Sequence, residues 1–122
     1  MRISEAELHV MEALWERHPA TAEDLALTLL PAQGWQLPTL KTLINRLLGK
    51  EAIAAERDGK RYLYRPLLQR EEWLRSQSSH FLERCFGGRL SALVAHFAED
   101  RPLSAEDRRA LQALLKEPPN AE

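Results

Sequence analysis

This chain of 122 residues contains a single cysteine, Cys85. A single thiol excludes an internal disulfide framework and any metal site built from several thiolates. No apolar run approaches the roughly 20 residues of a membrane-spanning helix, and no signal-peptide pattern opens the chain. The hydrophobic content of 44% is that of an ordinary core. We therefore expect a cytoplasmic protein of one or two small domains, without a membrane anchor.

Catalytic motifs are missing as well. The sequence has no phosphate-binding glycine loop, no paired-histidine motif and no nucleophile beside a base in a recognisable setting. Gly87 and Gly88 do not follow a strand, as a phosphate loop would. We expect neither enzymatic activity nor a cofactor.

Basic and acidic residues nearly balance over the whole chain, but basic residues are in excess in its middle third. The net charge is −1, and residues 1–34 carry two basic side chains against six acidic ones. Residues 35–66 reverse this balance with seven basic side chains against three acidic ones. The seven are Lys41, Arg46, Lys50, Arg57, Lys60, Arg61 and Arg65. Because counterion release depends only on cations that reach phosphates, this local excess favours nucleic-acid binding more than the net charge suggests.

Two short helices are predicted before this basic region. Ser4 with a glutamate three residues later, and Thr21 with an aspartate three residues later, have the pattern of helix N-caps. Apolar residues follow each cap at helical spacing. Pro31 and Gly34 are predicted to end the second helix.

The stretch from Leu37 to Ile53 predicts a helix with two opposed faces, and the periodicity changes beyond Lys50. One face is a core-facing stripe of Leu40, Leu43, Ile44, Leu47 and Leu48. The opposite face carries Pro38, Lys41, Thr42, Asn45, Arg46 and Gly49, with Thr39 beside it. Short polar and cationic groups suit base edges and phosphates better than a protein core. A merely solvated face is the alternative, because most surface helices have a polar back.

A β-hairpin is predicted directly after this helix. Residues 53–57 and 61–67 flank Asp58-Gly59-Lys60, and Asp-Gly between such runs is a strong hairpin signal. A winged helix-turn-helix has this order of elements: two helices, a third helix with a polar outer face, and a basic hairpin. We predict DNA contacts by Thr39, Lys41, Thr42, Asn45, Arg46, Lys60 and Arg61. The alternative is a winged helix that binds proteins without touching DNA, whose third helix would show exposed apolar anchors.

Three further helices are predicted in residues 69–122, after a winged-helix domain at residues 1–68. Their apolar positions include Leu111, Leu114 and Leu115, which are expected on an inner face. About 50 residues rarely bury enough area to fold alone, so we expect a symmetric dimer. The predicted dimerisation residues are Trp73, Phe81, Phe86, Leu90, Leu93, Val94 and Phe97. The alternative is a monomer whose helices pack back on the winged domain.

Four stretches carry a family resemblance: ISEAELHVMEALW, TLKTLINRLLGKEAI, DGKRYLYRPL and FGGRLSALVAHFAEDRPLSAEDRRALQALL. With them the chain resembles, over residues 3–116, the penicillinase-repressor family of bacterial transcription regulators, the BlaI/MecI/CopY type. The resemblance implies an N-terminal winged-helix DNA-binding domain and a C-terminal helical dimerisation domain. It also implies repression at dyad-symmetric operators over resistance or metal-efflux genes. We therefore expect double-stranded operator DNA and a second copy of the chain as partners.

Two departures from the family pattern concern the inducing signal. Copper-responsive members carry a C-terminal cluster of cysteines that is missing here, and His80, Cys85 and His96 do not share a helix face, so we predict no metal site. Penicillinase-responsive members are cut by a membrane-bound sensor protease at an Asn-Phe bond, where this chain has His96 and Phe97. This replacement counts against control by such a protease and leaves the signal open.

Overall fold

The computed structural model describes residues 1–116, which form six α-helices and one two-stranded antiparallel sheet. The elements, in chain order, are α1 (Glu5–Glu16), α2 (Ala22–Gln33), α3 (Leu37–Gly49), β1 (Ile53–Asp58), β2 (Arg61–Pro66), α4 (Arg70–Phe86), α5 (Leu90–Asp100) and α6 (Ala105–Lys116). The predicted fold class, a mainly helical winged helix-turn-helix followed by further helices, is confirmed.

The predicted caps of the first two helices are present as reciprocal hydrogen bonds. The Ser4 hydroxyl accepts the Glu7 N–H at 3.1 Å, and the Glu7 carboxylate accepts the Ser4 N–H at 2.8 Å. Thr21 and Asp24 make the same pair of bonds, each 3.0 Å long. The hydrogen bond from the Thr21 backbone lowers the pKa of Asp24. Four backbone N–H groups at helix starts are thus satisfied by side chains three residues away, so these starts can be recognised in the sequence.

The predicted end of α2 is wrong for Pro31 and right for Gly34. Pro31 lies inside the helix, which continues to Gln33. Its missing N–H leaves only the carbonyl of Leu27 without a helical partner, and Leu27 is strongly exposed. Gly34 adopts a left-handed conformation with φ of 70° and donates its N–H to Leu30 O at 2.9 Å. The left-handed cap, which glycine adopts without a Cβ penalty, therefore ends the helix.

The hairpin of β1 and β2, which we call the wing, has a two-residue turn. Asp58 pairs with Arg61, so only Gly59 and Lys60 lie between the strands, and Gly59 has φ of 66°. Tyr64 also pairs with Ala20, two residues before α2, through N–H to O bonds of 3.0 and 2.8 Å. This bridge attaches the wing to the start of α2.

The core of the first three helices lies under the inner face of α3. Leu40 and Leu47 are fully buried, and Leu43 and Ile44 nearly so. Their buried partners are Val10, Met11 and Leu14 of α1, Leu25 and Leu29 of α2, Ala20, Ala52 and Ile53. The stretch predicted to be helical extends to Ile53, but the helix ends at Gly49. Glu51 has a left-handed φ of 61° and so cannot continue it. The inner stripe predicted for α3 is therefore the centre of this core.

The chain divides into two compact units, Met1–Arg75 and a second one that begins at Ser76. The first turns of α4, with Trp73, belong to the first unit. Gly87 and Gly88 separate α4 from α5 with φ values of 59° and 79°. In the second unit Ser104 caps α6 by accepting the Asp107 N–H at 3.0 Å. None of the helices within residues 1–116 is long and apolar enough to cross a membrane.

Candidate nucleic-acid interface

The outer face of α3 presents five of the seven predicted DNA-contacting residues to solvent. Thr39, Lys41, Thr42, Asn45 and Arg46 are all exposed, while the residues between them are buried. Within residues 1–116, Lys41 and Arg46 form no ion pair. A helix anchored by one face and carrying unpaired cations and an amide on the other can enter a major groove.

The wing tip holds the other two predicted residues, and the structure gives them different surroundings. Lys60 is exposed at the turn and pairs with no carboxylate of residues 1–116. The Arg61 guanidinium lies 3.2 Å from the Asp58 carboxylate. Arg57 lies 5.8 Å from the centre of the Tyr62 ring and donates to Gly59 O at 3.0 Å. Lys60 is thus the tip cation that is readiest to meet a phosphate, since the Arg61 pair must first open.

Lys50, which the charge pattern counts with the basic region, has a structural role instead. Its Nζ lies 2.5 Å from Oε1 of the buried Glu7 and donates to Arg2 O at 2.8 Å. Burial alone would raise the pKa of Glu7, but the bonds from Lys50 and Ser4 outweigh burial and hold this pKa below its usual value. Sequence reasoning missed this contact because the two residues are 43 positions apart. The apolar neighbours of Glu7 in α1 were the one available signal that its carboxylate is buried.

The predicted dimerisation residues divide between the two units. Trp73 lies in the first unit, where its ring centre is 5.8 Å from that of Trp15. Trp15 is fixed in turn by a 2.8 Å hydrogen bond from its Nε1 to Leu68 O. Trp73 therefore packs within the first unit, whereas Phe81, Phe86, Leu90, Leu93, Val94 and Phe97 belong to the second.

The second unit carries a chain of rings that continues from α4 to α5. Phe81 and Phe86 have ring centres 5.9 Å apart, Phe86 and His96 5.8 Å, and His96 and Phe97 5.6 Å. Phe97 of α5 is 55% exposed. Of the α6 leucines expected on an inner face, Leu111 is half-buried, whereas Leu114 and Leu115 are 56% and 81% exposed within one chain. Leu93 and Val94 are half-buried. This unit thus leaves large apolar side chains open to solvent.

A groove between α2 and α3 is a feature that sequence reasoning missed. It has a volume of about 590 Å³ and is lined mainly by Ala26, Leu27, Leu30, Pro31 and Leu37. Leu27 is 79% exposed. Its position in the sequence could have indicated this, because Leu27 does not lie on the helix face that carries the buried Leu25 and Leu29. Cys85, in α4, is exposed. Among the described residues, no group of three or more His, Cys, Asp or Glu side chains is placed to hold a metal ion.

The chain matches known proteins over almost its full length. The family model described as Penicillinase repressor matches residues 3–117. The penicillinase repressor of Bacillus licheniformis is 29% identical over 119 residues, which are 98% of this chain and 93% of that protein. The methicillin resistance regulatory protein MecI of Staphylococcus aureus (strain N315) is 29% identical over 113 residues, 93% of this chain and 92% of that protein.

Solved structures agree with the fold. The solution structure of the DNA-binding domain of the repressor BlaI superposes with a TM-score of 0.55 at 27% identity, covering 58% of this chain and 87% of that one. The structure of MepR, a transcription regulator of a Staphylococcus aureus multidrug efflux pump, has a TM-score of 0.53 at 21% identity over 94% of this chain and 76% of that one, which supports the fold alone. The family match over residues 3–117, on a winged helix with an open third helix, confirms the predicted family. The chain belongs to the penicillinase repressor family and is a DNA-binding repressor of transcription.

Proposed function

We propose that this repressor binds a dyad-symmetric operator as a homodimer, with α3 in the major groove and the wing on the backbone beside it. The observation that carries the proposal is the outer face of α3, where the side chains of Lys41, Asn45 and Arg46 are exposed and have no hydrogen-bonding or ionic partner within residues 1–116. An arginine and an amide are the side chains that bind guanine and adenine edges in pairs of hydrogen bonds. The penicillinase and methicillin-resistance repressors among its relatives support an operator over a resistance gene.

The cations divide into two roles. Arg46 lies on the outer face of α3, in its second half, and we assign it to a base edge, with Asn45 beside it. Lys60 projects from the two-residue turn of the wing and is assigned to a phosphate. Arg61 joins it when its exposed pair with Asp58 opens, which costs little because such pairs contribute roughly 0–1 kcal/mol.

Dimerisation is supported by what the second unit leaves uncovered. No side chain of α4, α5 or α6 is buried within a single chain. Phe81, Leu90, Phe97 and Leu114 are each more than two-fifths exposed. Apolar area of this kind is unusual on a monomer and is buried most economically by a two-fold copy of itself. Two winged units carried by one dimer would then meet two half-sites of a dyad operator.

Release from DNA is proposed to differ from that of the penicillinase-responsive members. The His96–Phe97 peptide lies within α5. A protease pocket built to hydrogen-bond an asparagine amide would meet an imidazole there and leave its polar groups unmatched. The inducer of this repressor is therefore proposed not to act through that cleavage.

The test is a binding titration of the full chain against its own promoter region over a range of salt concentrations. We expect salt-sensitive, sequence-specific binding. Arg46→Ala should relax the sequence preference by about 1–3 kcal/mol. Lys60→Ala should weaken all sequences alike and lower the slope of log K against log salt by about 0.9.

Arg109→Ala, an exposed cation of α6, is the matched control and should leave the slope unchanged. Wild-type protein that binds no duplex DNA would overturn the proposal. A winged helix used for protein binding would then be favoured, with exposed Leu27 as its anchor.

A further inference from the structure

The outer face of α3 is not chemically uniform along its length. Asn45 and Arg46, in its second half, offer an amide and a guanidinium. Pro38, in the first turn, is exposed and offers only carbon. Thr42 lies one turn after Pro38 on the same face, since the two residues are four apart.

The Thr42 hydroxyl is already used within the helix. It donates its one hydrogen to Pro38 O over 3.0 Å. Thr42 therefore has no donor left for DNA, and its remaining groups are a methyl and the lone pairs of the hydroxyl. Together with the Pro38 ring, this methyl makes a small exposed carbon surface at the start of the helix.

The four base pairs present one apolar group in the major groove, the 5-methyl of thymine. In helix-turn-helix proteins the first residues of the recognition helix are among those that contact base edges. Thr39 and Lys41 beside it carry donors, but the carbon surface of Pro38 and Thr42 offers none, so it fits a methyl group better than a base acceptor.

We propose that Pro38 and Thr42 select a thymine in each operator half-site through its 5-methyl group, while Asn45 and Arg46 select their bases through hydrogen bonds. This inference rests on the proposed function, because it requires α3 to enter the major groove. It adds to that function the base, and the group on that base, which Pro38 and Thr42 contact.

The experiment begins with duplexes that the full-length wild-type chain selects from a random library. In the selected sequence each thymine of both half-sites is replaced in turn by 2′-deoxyuridine, which lacks only the 5-methyl. At one position in each half-site, uridine should weaken binding by about fourfold, which is the effect of losing one buried methyl-sized group. Thr42→Ser keeps the hydroxyl, and with it the bond to Pro38, but removes the side-chain methyl. This variant should bind the thymine duplex about fourfold more weakly per half-site and should lose most of the penalty for uridine.

Two further variants complete the design. Pro38→Ala should also reduce the uridine penalty, whereas Lys60→Ala should weaken the thymine and uridine duplexes equally and keep the penalty unchanged. Circular dichroism of each variant checks that α3 remains folded. The inference is overturned if wild-type protein binds its selected duplex specifically but tolerates uridine at every position. It is equally overturned if Thr42→Ser and Pro38→Ala both keep the full penalty. If the library yields no duplex at all, the proposed function fails together with the inference.

Discussion

The two units of this chain differ in how far they bury their apolar side chains. In Met1–Arg75, the inner faces of three helices and the base of the wing close on one another around fully buried residues such as Met11 and Leu47. In the helices that follow, α5 and α6, no residue is buried at all, although Phe97 and Leu90 are among their largest side chains. The first unit encloses its apolar residues within a single chain, whereas the second leaves them open, which is the basis of the proposed dimer. DNA contact and assembly are therefore assigned to different parts of the sequence.

The largest expected effect comes from placing charge on the open surface of the second unit. Phe97→Asp should convert the dimer to monomers, because each copy would bury an unpaired carboxylate at a cost of about 3 kcal/mol. The dimer dissociation constant should rise at least about a hundredfold. Sedimentation velocity over a concentration series measures this.

Leu27→Asp is the matched control for that variant. Leu27 is more exposed than Phe97 but lies in the first unit, so its replacement should leave the dimer intact. An unchanged dimer for Phe97→Asp, or monomers for both variants, would place the interface elsewhere and remove the contrast between the units.

A smaller effect is expected from the two faces of α3. Leu47 is fully buried, so Leu47→Ala should lower the free energy of unfolding by about 2–5 kcal/mol. Asn45→Ala, two residues away on the outer face, should change it by no more than about 0.5 kcal/mol but relax operator preference. Urea unfolding and operator titration of both variants separate the two roles. Equal loss of stability in both would contradict the division of the helix.

Acid should weaken the first unit through the buried Glu7. The pKa of this carboxylate is held below its usual value of 4.5 in the folded chain by Lys50 and Ser4, in spite of burial. Its ionised form therefore adds stability above the unfolded pKa, and this contribution is lost as the pH falls through the lower folded pKa.

Urea midpoints followed from about pH 6 to about pH 3 measure this loss. Glu7→Gln should start less stable than the wild type and lose less stability over that window. Glu12→Gln, which changes an exposed glutamate of the same helix, should follow the wild-type curve. A Glu7→Gln curve parallel to that of the wild type would show that the Lys50 contact does not set the acid response.

The smallest change is expected when the wild-type chain meets the sensor protease, because no cleavage is expected. Co-expressed with such a protease from a penicillin-resistance operon and treated with a β-lactam, the wild-type chain should remain full length. His96→Asn should restore cutting before Phe97 if side-chain identity is the only barrier. Mass spectrometry of the chain reports the result, and clean cutting of the wild type between His96 and Phe97 would return this protein to the β-lactam-responsive branch.

Features set by neighbouring residues could be predicted from the sequence. Ser4, Thr21 and Ser104 each meet a partner three residues away, so their caps are visible in the pattern. The Asp58-Gly59 turn and the stripe under α3 are local in the same way. The prediction for Pro31 was wrong because a proline late in a helix removes only one helical hydrogen bond, the one to Leu27 O, which is less than ending the helix early would lose.

Features set by contacts between distant parts of the chain could not be predicted. The bridge between Ala20 and Tyr64 and the bond from Lys50 to Glu7 join residues more than 40 positions apart. Composition identified Lys50 as one of several cations, but its partner depends on how α1 crosses the end of α3. The assignment of Trp73 to the first unit, against Trp15, depends likewise on where the start of α4 packs.

The division of α3 between two faces has a consequence for the evolution and redesign of this protein. Residues that hold the helix in place, such as Leu40 and Leu47, alternate with residues that do not contribute to the core, such as Thr42 and Arg46. If α3 binds DNA as proposed, a mutation at one of the outer positions changes the preferred DNA sequence without a loss of folding that selection must repair. Gene duplication followed by a few outer-face substitutions is then enough to produce repressors with separate sets of target genes in one cell. The same positions are the ones to randomise when a repressor for a chosen operator is wanted.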